Sequence, residues 1–269
     1  MNYLITICIV NFNSAEFVLN SLYCLEKITK NLYKVIIRDN NSEIKDYINL
    51  KQNILDYPNV ELYRVENFDL LGSLAHGTAI NDLIGRIDTM YGVVLDADCT
   101  FLYKNWDDIL IKELTEECPI IGTEAHKSKS QGFPLMYAIF FDANIMKNLQ
   151  IDFRPKGELP KKDTGYRLRE GYQKEGYDSK LLNLKQTRFY KEGPFHKLIV
   201  AEYYLNNYES IFASHYSRGS TLGKNKYRRT KKNKFYSLPL IGNHLLISKG
   251  KREKKKFIKI CQKIVDNIV

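Results

Sequence analysis

The sequence predicts an α/β protein: a mostly parallel central sheet flanked by helices, followed by a basic helical appendage. Three observations predict it. Apolar, β-rich runs alternate with helix-length segments through roughly the first hundred residues. Each run is followed at once by polar residues: Asn11 and Asn13, then Asp39, then Asn67, then Asp96 and Asp98. Past residue 222 the chain turns strongly basic. Alternating strands and helices imply parallel pairing with right-handed crossovers. Such sheets bind ligands beyond the carboxyl ends of their strands, which is where those polar residues fall.

Taken in order, Leu4-Ile5-Thr6-Ile7-Cys8-Ile9-Val10 is a continuous apolar run, as expected of a strand covered on both faces. Asn13-Ser14 sits where a helix cap would, ahead of Phe17, Val18, Leu22, Leu25 and Ile28 at helical spacing. Residues 33–37 read as the second strand, 44–55 as a polar helix, 60–65 as the third strand, 72–87 as a helix and 92–95 as the fourth strand. After Asp98 the pattern loosens. Helices are expected at 106–114, 144–149, 163–175 and 195–208, and strands at 120–122, 135–141, 181–184 and 211–214. No internal repeat or low-complexity linker is present. The expected organisation is one domain over residues 1–222 and a basic segment over 223–269.

Composition bounds the function. Hydrophobic residues make up 44% of the 269, enough for a real core and too many for global disorder. The formal net charge of +10 points to an anionic partner: nucleotide diphosphates, anionic lipid or nucleic acid. Five cysteines without any CxxC pattern read as buried free thiols in a reducing compartment. Met1-Asn2-Tyr3 leads straight into a strand with no basic signal-like region, and no apolar stretch reaches spanning length. The expectation is a cytoplasmic protein, at most peripheral at the inner face of the membrane.

Asp96-Ala97-Asp98 follows an apolar strand directly. Two carboxylates this close are costly to desolvate without a cation. A hard divalent ion, Mg²⁺ or Mn²⁺, supplies one and also bridges a diphosphate. The competing reading is a solvated turn with capping aspartates. Alone the three residues are a weak signal; their position at the end of an interior strand strengthens it.

With these residues in view, the sequence resembles family 2 glycosyltransferases, which have the GT-A, Rossmann-like fold. The opening strand and helix (residues 5–25), the strand ending at Asp39-Asn40-Asn41-Ser42, the segment from Asn67 to Asn81 with Gly72 and His76-Gly77, and the Asp96–Asp98 strand all match in order. The resemblance implies roles. Asp39 would hydrogen-bond the donor base. Asn11 and Asn13 would lie on the nucleotide-binding loop, unless they only cap. Asn67, Gly72, Ser73 and His76 would line the donor pocket, although His76 also reads as an ordinary helix-face residue. Asp96 would meet the ribose or a metal-bound water, and Asp98 would ligate Mn²⁺ or Mg²⁺. His215, in His215-Tyr216-Ser217-Arg218-Gly219-Ser220, would complete the metal shell, with Arg218 and the neighbouring Gly and Ser residues on the leaving diphosphate; a packed loop histidine is the alternative. The family's general base falls at Asp163, where only one carboxylate replaces the commoner acidic pair. Asp163 is equally placed for an N-cap, and Glu124, Asp152 and Glu158 are rival bases. His196 reads as structural.

The implied activity is inverting transfer of a sugar from a nucleotide-diphosphate donor to a hydroxyl of a glycan or glycolipid acceptor, such as lipopolysaccharide, capsule or a polyprenyl-linked glycan. The basic clusters at 224–234 and 249–256, with the apolar run 235–241 between them and Phe257, Ile258, Ile264 and Val265 after them, suit an anionic membrane surface; a solvated tail and nucleic acid are the alternatives. A sugar nucleotidyltransferase is the rival enzyme, but the turn after the first strand, Asn11-Phe12-Asn13-Ser14, lacks the basic residue such enzymes carry. The rival non-enzyme is a nucleic-acid-binding protein with a degenerate transferase core.

Overall fold

The structure, a computed structural model, describes residues 2–66, 69–125, 132–155, 164–205, 209–222 and 241–268. The first half follows the expected alternation: β1 (Ile5–Asn11), α1 (Ala15–Ile28), β2 (Tyr33–Asp39), α2 (Ile44–Asn53), β3 (Val60–Arg64), α3 (Gly72–Gly85) and β4 (Tyr91–Asp96). β3, β2, β1 and β4 lie side by side and parallel. The register sets Asn11 opposite Asp39 and Val10 opposite Asp96, so the polar strand ends line one edge.

The period-two alternation of β1 divides its side chains between two cores. Ile5, Ile7 and Ile9 join a cluster with Phe17, Leu22 and Leu25 of α1. Cys8 and Val10 join another with Ile80 and Leu83 of α3. The sheet is therefore covered on both faces, which is why β1 reads as unbroken apolar sequence.

Beyond β4 come β5 (Cys99–Phe101), α4 (Trp106–Glu113), β6 (Ile120–Thr123), β7 (Leu135–Asp142), α5 (Ala143–Asn148), α6 (Leu168–Lys174), β8 (Lys180–Gln186), β9 (Ala201–Tyr204) and β10 (Ala213–His215). The strand order is β3-β2-β1-β4-β7-β6-β8-β9-β10-β5, and from β4 onward the pairs are antiparallel except the parallel β6–β8. β4 is interior and β5 is at the far edge, yet only Ala97-Asp98 separates them. The sheet thus bends back toward its own middle strand at Asp98.

Two expectations are corrected. The helix expected over 195–208 is a turn followed by strand β9 within the described residues. Strand pairing on both sides, with β8 and β10, overrides the local pattern and buries Glu202 and Tyr203. β5 was not anticipated at all, being three residues long and paired with a strand more than a hundred residues away.

The last element, α7 (Ile241–Asp266), packs along α1. Leu246, Phe257, Cys261 and Val265 are fully buried. Phe257 meets the rings of Phe17, Phe195 and Tyr216. The basic run over 224–234 lies outside the described residues. No described helix is long and apolar enough to cross a membrane.

Candidate active site

Three parallel strand ends supply the first cluster. Asn11 closes β1, Asp39 closes β2 and Arg64 closes β3. Asn11 and Asp39 are fully buried. Asn11 Nδ2 donates to Asp39 Oδ2 (2.8 Å) and reaches Ser42 Oγ (3.1 Å) and Asp46 Oδ2 (3.2 Å). Asp39 Oδ1 accepts from Arg64 Nη1 (3.0 Å) and the Ser42 amide (3.2 Å). Arg64 Nη2 also donates to Asn41 Oδ1 and the Ser42 carbonyl, and its guanidinium lies over the Tyr47 ring at 4.9 Å. Asn13 takes a left-handed backbone (φ 52°), which asparagine tolerates. Its amide donates to Ser42 Oγ and its Oδ1 accepts from the Glu43 amide.

Ser14 occupies the N-cap position of α1 but makes no capping bond with its side chain. The Ala15 amide instead donates to the Asp46 carboxylate, which arrives from α2 and lies at the positive end of α1. Burial pushes the Asp46 carboxyl above its ordinary range, opposed by the hydrogen bonds from Asn11 and Ala15.

The second cluster forms where β4 hands over to β5. Antiparallel pairing of β5 with β10 sets His215 opposite Cys99. His215 Nε2 consequently lies 3.1 Å from Asp98 Oδ1 and 3.8 Å from Asp96 Oδ2. Asp98 and His215 are buried (7% and 5% exposed). One donor atom from each of the three residues lies within 4.8 Å of the others. Two carboxylates and an imidazole at such separations fit a hard-to-borderline divalent ion such as Mn²⁺ or Mg²⁺. Ser217 Oγ lies 3.4 Å from His215 Nδ1, and the Tyr137 ring packs on the imidazole at 4.4 Å, so both ring position and ring nitrogen are constrained.

The loop after β10 grips Asp98. The Tyr216 amide donates to the Asp98 carbonyl (2.9 Å) and the Gly219 amide to Asp98 Oδ2 (2.7 Å). A Cβ on Gly219 would stand 2.8 Å from Asp98 Cβ, so only glycine lets this backbone come so near. Ser217 and Arg218 are both left-handed (φ 66° and 63°), a conformation rarely adopted by two adjacent non-glycine residues. Arg218 is exposed.

Among the other expected residues, His76 Nε2 lies 3.6 Å from Asp96 Oδ1, so α3 reaches the second cluster. Gly72 begins α3 at φ 58° in open space, where the backbone rather than crowding favours glycine. The Ser73 carbonyl accepts from Thr164 Oγ1 (3.1 Å). Asn67, Glu158 and Asp163 lie outside the described residues. Asp152 is tied to Arg154 and Asn81, and the Arg154 hydrogen bonds hold its carboxyl well below the usual carboxylate range, which makes it a poor proton acceptor. Glu124 accepts from the Leu184 amide (2.9 Å). His196 is exposed, with Nδ1 near the Gly193 carbonyl.

Sequence reasoning passes over Arg64 and Asp46. Arg64 is within reach of the same rule that singles out Asp39, since it ends a strand. Asp46 carries no local signal, and neither does the grip of Gly219 on Asp98, because what they touch comes from elsewhere in the chain.

The chain belongs to glycosyl transferase family 2, whose sequence model matches residues 6–174. Its fold is similar to that of the mannosyltransferase PcManGT from Pyrobaculum calidifontis, solved with GDP-Man and Mn²⁺: TM-score 0.52 and 12% identity over 67% of this chain and 55% of that one. TarS of S. aureus is more distant in shape, with TM-score 0.48 and 14% identity over 63% of this chain and 33% of TarS. A TarS fragment, residues 1–349, in complex with UDP gives TM-score 0.44 at 14% identity over 59% of this chain and 52% of the fragment. The chain thus spans about half or less of the length of each. No curated protein matches its sequence.

Proposed function

We propose that this chain is an inverting, metal-dependent glycosyltransferase that moves a sugar from a nucleotide-diphosphate donor to a hydroxyl of a glycan or membrane glycolipid. The observation that carries the reading is the convergence of Asp96, Asp98 and His215 within 4.8 Å. That cluster adjoins the Asn11–Asp39 cluster along one sheet edge. A base-binding site beside a cation site is the layout a nucleotide diphosphate requires.

Asp39 and Asn11 would receive the base, with an Asp39 oxygen accepting a base N–H. Asp98 and His215, with Asp96 beside them, would hold Mn²⁺ or Mg²⁺. Such an ion, when bound, offsets the charge of the leaving diphosphate. Arg218, on the strained loop that also grips Asp98, would contact a phosphate oxygen. Asn67, Gly72, Ser73 and His76 would line the donor side. Asp163 would take the acceptor proton as the hydroxyl oxygen attacks the anomeric carbon, and a single displacement of this kind inverts configuration. What supports Asp163 is its neighbour Thr164, bonded to Ser73 at the start of α3.

Thermal unfolding with a panel of nucleotide diphosphates, with and without Mn²⁺, tests the reading. The matching nucleotide is expected to raise Tm by mass action, and more so with Mn²⁺. No shift with any nucleotide overturns it.

A further inference from the structure

The basic C-terminal helix presents a second, separate feature. Lys251, Arg252, Lys255, Lys256, Lys259 and Lys263 of α7 are all exposed. At about 100° per residue they span an arc of about 140°, and along the axis they run about 18 Å. None of the six forms an ion pair among the described residues. The carboxylates nearby are engaged elsewhere: Glu253 with Lys249, Glu16 with Lys254, and Asp266 with Lys27. Glu26 and Asp56 face Lys255 and Lys259 across a groove, so the outer part of the arc, around Arg252, Lys256 and Lys263, is the most strongly positive.

The opposite side of the helix carries the apolar residues, and it is used up. Leu246, Phe257, Cys261 and Val265 are buried in the core. The amphipathic pattern therefore does not supply a face that inserts into lipid, as membrane-surface helices ordinarily do. What remains outside is a preformed cationic face with one apolar side chain, Leu245, 41% exposed on the same arc.

We propose that this face of α7 docks the enzyme on an anionic lipid surface by electrostatics, with the helix remaining folded on its core. The inference deepens the membrane-glycolipid acceptor of the proposed function and rests on it for its purpose, though not for its geometry. Lipid is favoured over nucleic acid because the arc offers no Phe, Tyr or Trp ring on which a base could stack. The position is also apt. Tyr216, next to His215, donates its hydroxyl to the Gly250 carbonyl of α7 (3.2 Å), and Leu222 packs on Gly250. Gly250 is on the buried side, so the loop that grips Asp98 lies across the helix from the cationic arc. Docking would bring that loop to about one helix diameter, about 10 Å, from the headgroups.

The test is co-sedimentation of the full chain with phosphatidylcholine vesicles, either pure or containing about a third phosphatidylglycerol. Binding is expected only to the anionic vesicles and is expected to vanish near 1 M salt, where the Debye length falls to about 3 Å. Arg252→Gln, Lys256→Gln and Lys263→Gln together should weaken the partition about a hundredfold, at roughly fivefold for each cation near the surface. Lys51→Gln, Lys174→Gln and Lys197→Gln remove the same charge from exposed positions elsewhere and should change it by less than about threefold. Equal loss in both triple variants, equal binding to neutral vesicles, or tighter binding to a duplex oligonucleotide than to anionic vesicles at the same salt each overturns the proposal. The nucleotide-induced Tm shift should be the same in wild type and the α7 variant. This separates failure of the docking surface from failure of the glycosyltransferase reading.

Discussion

The two halves of the candidate site are built on different electrostatic terms. In the Asn11–Asp39–Arg64 cluster the buried Asp39 carboxylate is matched by a guanidinium, an amide side chain and a backbone N–H. It is self-sufficient. In the Asp96–Asp98–His215 cluster the two carboxylates meet the imidazoles of His215 and His76, whose charge is conditional, and the backbone amide of Gly219. The difference teaches where ligand energy enters. A carboxylate pair of low exposure is stabilised by a cation, whereas Asp39 already has its counter-charge in Arg64.

Substitutions break or sharpen that contrast. The largest effect is expected from Asp98→Asn, which should lower metal-dependent kcat about a thousandfold, given the several kcal/mol a bound cation contributes. Because asparagine keeps one oxygen for the Gly219 amide and relieves like-charge repulsion, Tm without metal should hold or rise. Steady-state transfer with Mn²⁺, alongside calorimetry, checks both, and an unchanged rate would sink the metal assignment. Asp39→Ala should do the reverse and act first on the fold. It removes one of the carboxylate partners of Arg64 and opens a buried cavity, and should cost about 3 kcal/mol in urea denaturation, the lower end for a broken ion pair because Arg64 keeps Glu66 and some solvent contact. A loss below about 1 kcal/mol would mean that the first cluster is no more self-sufficient than the second. Gly219→Ala is the smallest. Its methyl group would stand 2.8 Å from Asp98 Cβ and 2.9 Å from the buried Phe17 ring, so the loop, the carboxylate or the ring must shift without a ligand being removed. Mn²⁺ affinity should fall about tenfold, as for an outer-shell change, and the crowding should cost about 1 kcal/mol of global stability.

Much of this was legible in the sequence. β1, β2 and β4 announce themselves as apolar runs because their central residues are buried, whereas the edge strand β3 is only partly covered, and the polar residue at each strand end follows from the geometry of a parallel sheet. Asp39, Asp96 and Asp98 are visible for that reason. Residues 195–204 were misread because their helical spacing is local, while the partners that make β9 a strand are β8 and β10. The buried side of α7 was misjudged for a similar cause: Phe257 and Val265 look available to lipid until α1 is placed against them.

The sequence by itself determined the alternating half, the strand-end polar residues and the basic charge of the C-terminus, all of which are properties of neighbours along the chain. Tertiary structure alone decided that the sheet bends back at Asp98. The family resemblance pairs His215 with Asp98, 117 residues away, but only the tertiary structure sets them 3.1 Å apart and turns the cations of α7 outward as one surface. The physical reason is that antiparallel pairing of two three-residue strands leaves almost no periodic trace in either, yet its hydrogen bonds fix where every side chain at their ends must point.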